Sequence, residues 1–149
     1  MTATGHALVG TLIAAKISNP ALAVPLALLS HFAADILPHW DVGTERRKKT
    51  RERLVSEGIG DVLLGFALSF FLLAFLPATN IAYAFLIIIV AQLPDWLMAP
   101  YYFFRIRFPL FVWSYRFQKN FNHDLAFPWG VISQIAAVVI LYVLLFKVF

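Results

Sequence analysis

Apolar residues run through this chain in long blocks. Residues 4–18, 21–37, 59–76, 81–99 and 127–146 each hold at most one Asp, Glu, Lys or Arg, and none alternates polar with apolar positions. Blocks of that length predict helices, and helices apolar all round are set in lipid. The first block closes at Asn19-Pro20, a turn signal. At a rise of ~1.5 Å per residue it covers only ~21 Å against a hydrocarbon core of ~30 Å, so it is a short span or half of a re-entrant hairpin. Pro38 disfavours helix at Leu37, which ends the second block and leaves His39 and Asp41 on the following turn. The short Pro77-Ala78-Thr79-Asn80 link joins the third and fourth blocks as an αα-hairpin across the bilayer.

Between the blocks lie two segments of different character. Residues 42–57 carry six Lys and Arg between Arg46 and Arg53 and read as a solvent-exposed basic loop. Residues 101–121 mix aromatics with Arg105, Arg107, Arg116 and Lys119, the composition of a stretch lying among headgroups. Pro128 suits the first turn of the last helix. The expected fold is therefore all-α: a single polytopic membrane domain, residues 1–149, of about five hydrophobic helices plus an interfacial aromatic and basic segment. No internal repeat is visible.

Composition sharpens this picture. The chain is 61% hydrophobic and 13% charged, with a mean hydropathy of +0.79, which excludes an ordinary soluble domain. Its formal charge of +4 comes from twelve basic residues, ten of them in residues 46–53 and 105–119. That clustering reads as topology, not nucleic-acid binding. Placing both clusters in the cytoplasm puts the N-terminus there too, in a plasma or inner membrane, with only Lys16 and Lys147 outside. The N-terminus lacks a basic leader and small-residue cleavage site and is taken as mature sequence. With no Cys, a metal site must use imidazole and oxygen.

That topology was set without reference to His or Asp, yet it gathers all of them near one membrane face. His6 opens the first helix, His31, Asp35, His39 and Asp41 close the second, Asp61 begins the third, Asp95 ends the fourth, and His123 and Asp124 precede the fifth. His31 and Asp35, four residues apart, share a helical face and can bind one another or one metal. A charge at the centre of a membrane helix costs roughly 2.5–3.5 kcal/mol, less near the interface, and usually marks a functional cavity. An i, i+4 His-Asp pair is also an ordinary hydrogen bond, and Asp61 is also a carboxylate suited to a helix N-terminus. Asp95 stands among apolar neighbours behind Pro94, where backbone hydrogen bonding needs another partner. The basic loop reads as a topology signal that touches anionic lipid. Arg116 and Lys119, near His123, are the phosphate-binding candidates.

GHALVG, HFAADILPHWD, LPDW and the NHD before FPWG together resemble the YdjM-like group of small membrane-bound metal-dependent hydrolases. That group is marked by an N-terminal His near Gly, a His-x-x-x-Asp helix, a Leu-Pro-Asp-x-Asp-His element and a Thr-His-Ser element. His6, His31 with Asp35, and Asp95 match by type. LPDWL lacks the second Asp and the His, and Asn122-His123-Asp124 is a loose relative of Thr-His-Ser. The expected ligands are His6, His31, Asp35, Asp95 and His123, with His39 and Asp41 as additional ones. The expected ion is zinc, with manganese or magnesium as alternatives, and Asp61 or Asp124 would orient water. The substrate expected is a phosphoester of a membrane lipid or other amphipath at the cytoplasmic leaflet. A proton or metal-ion transporter and a non-catalytic structural membrane protein are the competing readings, and oligomerisation is open.

Overall fold

Helix is the regular structure throughout a computed structural model of the chain, which describes residues 1–148. The elements are α1 (Ala3–Lys16), α2 (Pro20–Ile36), α3 (Arg51–Leu73), α4 (Ile81–Phe104), α5 (Pro109–Gln118) and α6 (Trp129–Val143), the last prolonged to Val148 by a π-helical turn. Caps explain most of the starts. Thr2, Asn19, Thr50 and Asn80 each accept a backbone N–H of the helix they open, supplying a partner that lipid cannot.

Three helices are long and apolar enough to cross a membrane: Arg51–Leu73, Ile81–Phe104 and Trp129–Val148. Leu63, Phe71, Ile135 and Ile140 on them are all more than half exposed, which suits lipid as the solvent. The 14-residue α1 is the buried centre of the bundle. It packs on α2, α3, α4 and α6, and its small residues permit close approach. A Cβ on Gly10 would stand 2.9 Å from Ala91 Cβ and 3.1 Å from Ile88 Cα of α4. A Cβ on Gly65 of α3 would stand 3.1 Å from Thr4 Cα and 3.2 Å from Ala7 Cβ of α1. Small residues at crossings are how helices associate in lipid, where apolar burial gives no net drive.

Contacts along α1 set the directions of its neighbours. Its first turn meets Asp61 of α3 and Gln134 of α6, while its end meets Tyr83 of α4 through Ile17 and the Phe146 ring through Lys16. Thus α1, α3 and α6 run one way, and α2 and α4 run back. Helix α1 is short, yet it reaches the level where α4 begins. The end of α2, the start of α3, the end of α4 and the start of α6 consequently share one face of the bundle, as the charge pattern requires. The opposite half holds an apolar cluster of Val9, Ile13, Ala14, Ala23, Ala27, Ala84, Ile87 and Ala91.

Two expectations need correction. The basic loop ends at Thr50, not residue 57, because Thr50 caps α3 and Lys49 and Arg53 both pair with Glu57 at 2.8 and 2.7 Å. The aromatic segment is not one interfacial stretch either. Helix α4 continues through Pro100 to Phe104, and α5 then folds back against it.

Candidate metal centre

Four side chains from three helices converge beside the first turns of α1. His6 comes from α1, His31 and Asp35 from α2, and Asp95 from α4. The two imidazoles stack, with ring centroids 3.8 Å apart and planes inclined by 19°. His6 Nε2 lies 3.2 Å from Asp35 Oδ1 and 3.9 Å from Asp95 Oδ2, and His31 Nε2 lies 3.3 Å from Asp35 Oδ2 and 3.6 Å from Asp95 Oδ1. Two donors ~2.0–2.1 Å from one ion at a tetrahedral angle stand ~3.3–3.4 Å apart, so these edges need only small adjustment to take one. His6, His31 and Asp95 are placed to hold a metal ion.

The hydrogen bonds around the cluster show which lone pairs face inward. His31 Nδ1 lies 2.9 Å from Ala91 O and donates to it, so in the neutral ring Nε2 carries a lone pair. The polar atoms around that nitrogen are oxygens of Asp35 and Asp95 and, at 3.3 Å, Gln118 Oε1. Gln118 cannot turn its amide nitrogen inward, because Nε2 donates to Pro94 O at 2.7 Å and to Ser114 Oγ at 3.0 Å. His6 Nε2 is buried and makes no well-aligned hydrogen bond among the described residues, although Asp35 Oδ1 is 3.2 Å away. Acceptors crowded in this way repel one another unless a positive charge sits between them. The Met1 nitrogen already pairs with Asp35, so a cation among these acceptors is left Asp95 and the two imidazole lone pairs to engage.

The remaining predicted residues divide by what already engages them. His39 is fully buried and its Nε2 stands 3.9 Å from Asp35 Oδ1. Its Nδ1 donates to Leu37 O at 2.7 Å, and its Nε2 accepts from the Met1 nitrogen at 2.6 Å, a nitrogen that also donates to Asp35. Asp61 accepts from Ala3 N at 2.7 Å and Thr4 N at 3.1 Å, so it caps α1 rather than its own helix and thereby positions His6. Asp41 Oδ1 accepts from Thr44 N at 2.7 Å in a tight turn.

The structure does not bring the His123 side chain to the cluster. It is exposed, with Nδ1 2.8 Å from Phe121 O, and only its carbonyl contributes, accepting from His39 N at 3.0 Å. Asp124 is exposed and accepts from Asn122 Nδ2 at 2.9 Å. Arg116 is exposed on α5, outside the walls of the adjoining cavity.

That cavity, of about 600 Å³, opens from the cluster toward the shared face. Asp35 and Asp95 line its floor, and Asp95 is the more open, its side chain 23% exposed against 6% for Asp35. Ile59, Val62 and Leu63 of α3 and Met98, Ala99 and Phe103 of α4 form an apolar wall. Lys119, Arg46, Asp41 and Asp124 are at its polar side. Arg46 lies 4.0 Å from the Tyr102 ring centroid and donates to Tyr102 O at 2.8 Å.

Sequence reasoning missed Gln118 and Arg46. Ser114 and Gln118, spaced i, i+4, are the uncharged polar residues of the otherwise aromatic and basic α5, and that spacing was the available signal. Arg46 was hidden within a run of six cations. No family model, curated protein or solved structure matches the chain.

Proposed function

We propose that this membrane protein is a metal-dependent hydrolase that cleaves a phosphoester of a lipid or other amphipath. The observation that carries the reading is the facing set of acceptor atoms on His6, His31, Asp35 and Asp95 at the floor of a cavity walled by apolar side chains on one side and cations on the other. The motif resemblance to the membrane-bound metal-dependent hydrolases supports it. Imidazole and carboxylate donors without thiolate favour zinc, with manganese or magnesium as alternatives. A divalent ion bound there supplies Lewis acidity and lowers the pKa of a coordinated water to about 7.

The chain's own groups account for the rest. Ala91 O fixes the His31 tautomer, and Asp61 sets the height of α1 and hence of His6. Arg46 and Lys119 hold the phosphoryl anion, Arg46 with its guanidinium plane fixed by Tyr102. Val62, Leu63, Met98 and Phe103 receive the chain of the amphipath and exclude water from the floor. Asp124, a carboxylate at the rim outside the ligand set, would accept a proton from water in the cavity. Both basic clusters lie on one face, which the positive-inside rule assigns to the cytoplasm, so the substrate is drawn from the cytoplasmic leaflet.

Elemental analysis of protein purified without added metal tests the centre, with His31→Ala and Asp35→Ala as controls. Stoichiometric metal in the parent, lost from both variants, together with metal-dependent phosphate release from a phospholipid, is the expected result. A specific observation favours a second reading, an ion transporter: Gln92 Oε1 and Ser69 Oγ are buried without partners among the described residues. Flux in proteoliposomes that His31→Ala abolishes, without any hydrolysis, would put the transporter first.

A further inference from the structure

A second cavity, of about 270 Å³, lies where α3 begins and α4 ends, lined by Arg46, Lys49, Arg51, Arg105, Leu54 and Phe103. Four of its six lining residues are cationic, and of these the proposed hydrolytic site uses Arg46 alone. Lys49 is neutralised by Glu57 at 2.8 Å. The guanidinium groups of Arg46, Arg51 and Arg105 make no ion pair among the described residues. They rest instead on aromatic rings: Arg46 4.0 Å from the centroid of Tyr102, Arg51 5.0 Å from Phe104 and Arg105 5.9 Å from Tyr101. Ring faces orient a guanidinium without neutralising it; Arg46 spends one N–H on Tyr102 O at 2.8 Å, and the guanidinium groups of Arg51 and Arg105 make no hydrogen bond among the described residues. Three oriented, unpaired guanidinium groups around one concavity raise its positive potential, which an anion between them would lower.

We propose that this cavity is a binding site for a phosphate-bearing anion, separate from the metal centre. Guanidinium forks match phosphate oxygens in bidentate geometry. The site sits at the basic face, and the exposed Phe104 and Ile106 beside it place it at headgroup level. The anion is a phospholipid headgroup or free phosphate. Arg46 lines both cavities, so an anion here fixes the Arg46 and Tyr102 wall of the larger one.

The test uses full-length protein in phosphatidylcholine nanodiscs, with and without phosphatidylglycerol, and reads retained lipid by native mass spectrometry. A second arm titrates inorganic phosphate into the phosphatidylcholine sample and follows the unfolding temperature. The phosphatidylglycerol preference is expected to fall about fivefold in Arg51→Gln or Arg105→Gln and about 30-fold in the double variant, and to be retained only in part in Arg51→Lys with Arg105→Lys, which keeps the charge and loses the forks. Lipid retention lost only in the Gln variants assigns the site to a headgroup. A phosphate-induced rise in unfolding temperature lost in the same way assigns it to the free anion. If neither anion distinguishes the parent from the single or double Gln variants, the proposal is overturned. Metal content serves as the folding control, is expected to stay at the parent level, and reports on the metal centre independently.

Discussion

His31 Nε2 is the atom on which the centre turns, because every partner around it is an acceptor once Nδ1 is committed to Ala91 O. Gln118 contributes one of those acceptors and no charge. Gln118→Leu removes the oxygen and also leaves Pro94 O and Ser114 Oγ without their amide donor. Changes to groups that orient metal ligands typically weaken binding 10- to 100-fold, and a loss of about tenfold is expected here, measured by chelator competition. Affinity equal to the parent's would remove Gln118 from the site. Asp61 makes a different kind of claim, since its carboxylate touches α1 rather than the imidazoles. Asp61→Ala strips acceptors from Ala3 N and Thr4 N and is expected to cost about 1–2 kcal/mol in stability, read from unfolding in detergent, with weaker metal binding following from the displaced His6. Loss of hydrolysis with both stability and metal content intact would instead make Asp61 a catalytic group.

Between elements, α1 approaches α4 closely at Gly10. A methyl there meets Ala91 Cβ and the backbone of Ile88, neither of which is the free end of a flexible side chain. Gly10→Ala is therefore expected to destabilise by about 1–3 kcal/mol, the usual cost of overpacking, although alanine favours helix. It also pushes His6 from Asp95, so metal affinity should fall with stability; unfolding and metal titration on the same sample check both. An unchanged midpoint would mean that α1 and α4 are not tightly packed. The helices themselves were largely legible: α1 and α2 were expected as 4–18 and 21–37 and run 3–16 and 20–36. Hydropathy fails where a helix leaves lipid, which is why α3 starts at Arg51, eight residues before its apolar block, on Arg, Glu and a Thr cap. The fourth block was expected to end at residue 99, whereas α4 continues through Pro100 to Phe104. The pairing of His31 with Asp35 was readable from spacing. The exclusion of His123 was not, because it depends on which way a loop residue turns after its carbonyl has bonded to His39 N.

For the molecule as a whole, the arrangement of α1 explains how a buried polar cluster and a membrane bundle coexist. The exposed apolar surfaces of α2, α3, α4 and α6 suit lipid, while the short polar-ended α1 is enclosed and carries His6 to the interior. This enclosure makes a topological prediction that single-cysteine labelling resolves cleanly, since the chain has no native Cys. Lys48→Cys, before α3, and Arg107→Cys, after α4, belong to one face, and Thr79→Cys, in the link between those helices, belongs to the other. In intact cells an impermeant maleimide is expected to label Thr79→Cys alone, and the other two only after permeabilisation, because ten of twelve cations lie on their side. Labelling of all three from outside would mean that the α3–α4 hairpin does not span. Labelling of Lys48→Cys and Arg107→Cys without Thr79→Cys would invert the orientation and leave the bundle intact. The distinction bears on the proposed chemistry, because the cavity over Asp95 opens on the Lys48 face: on the hydrolase reading, ion and substrate would both arrive from whichever compartment that cysteine reports.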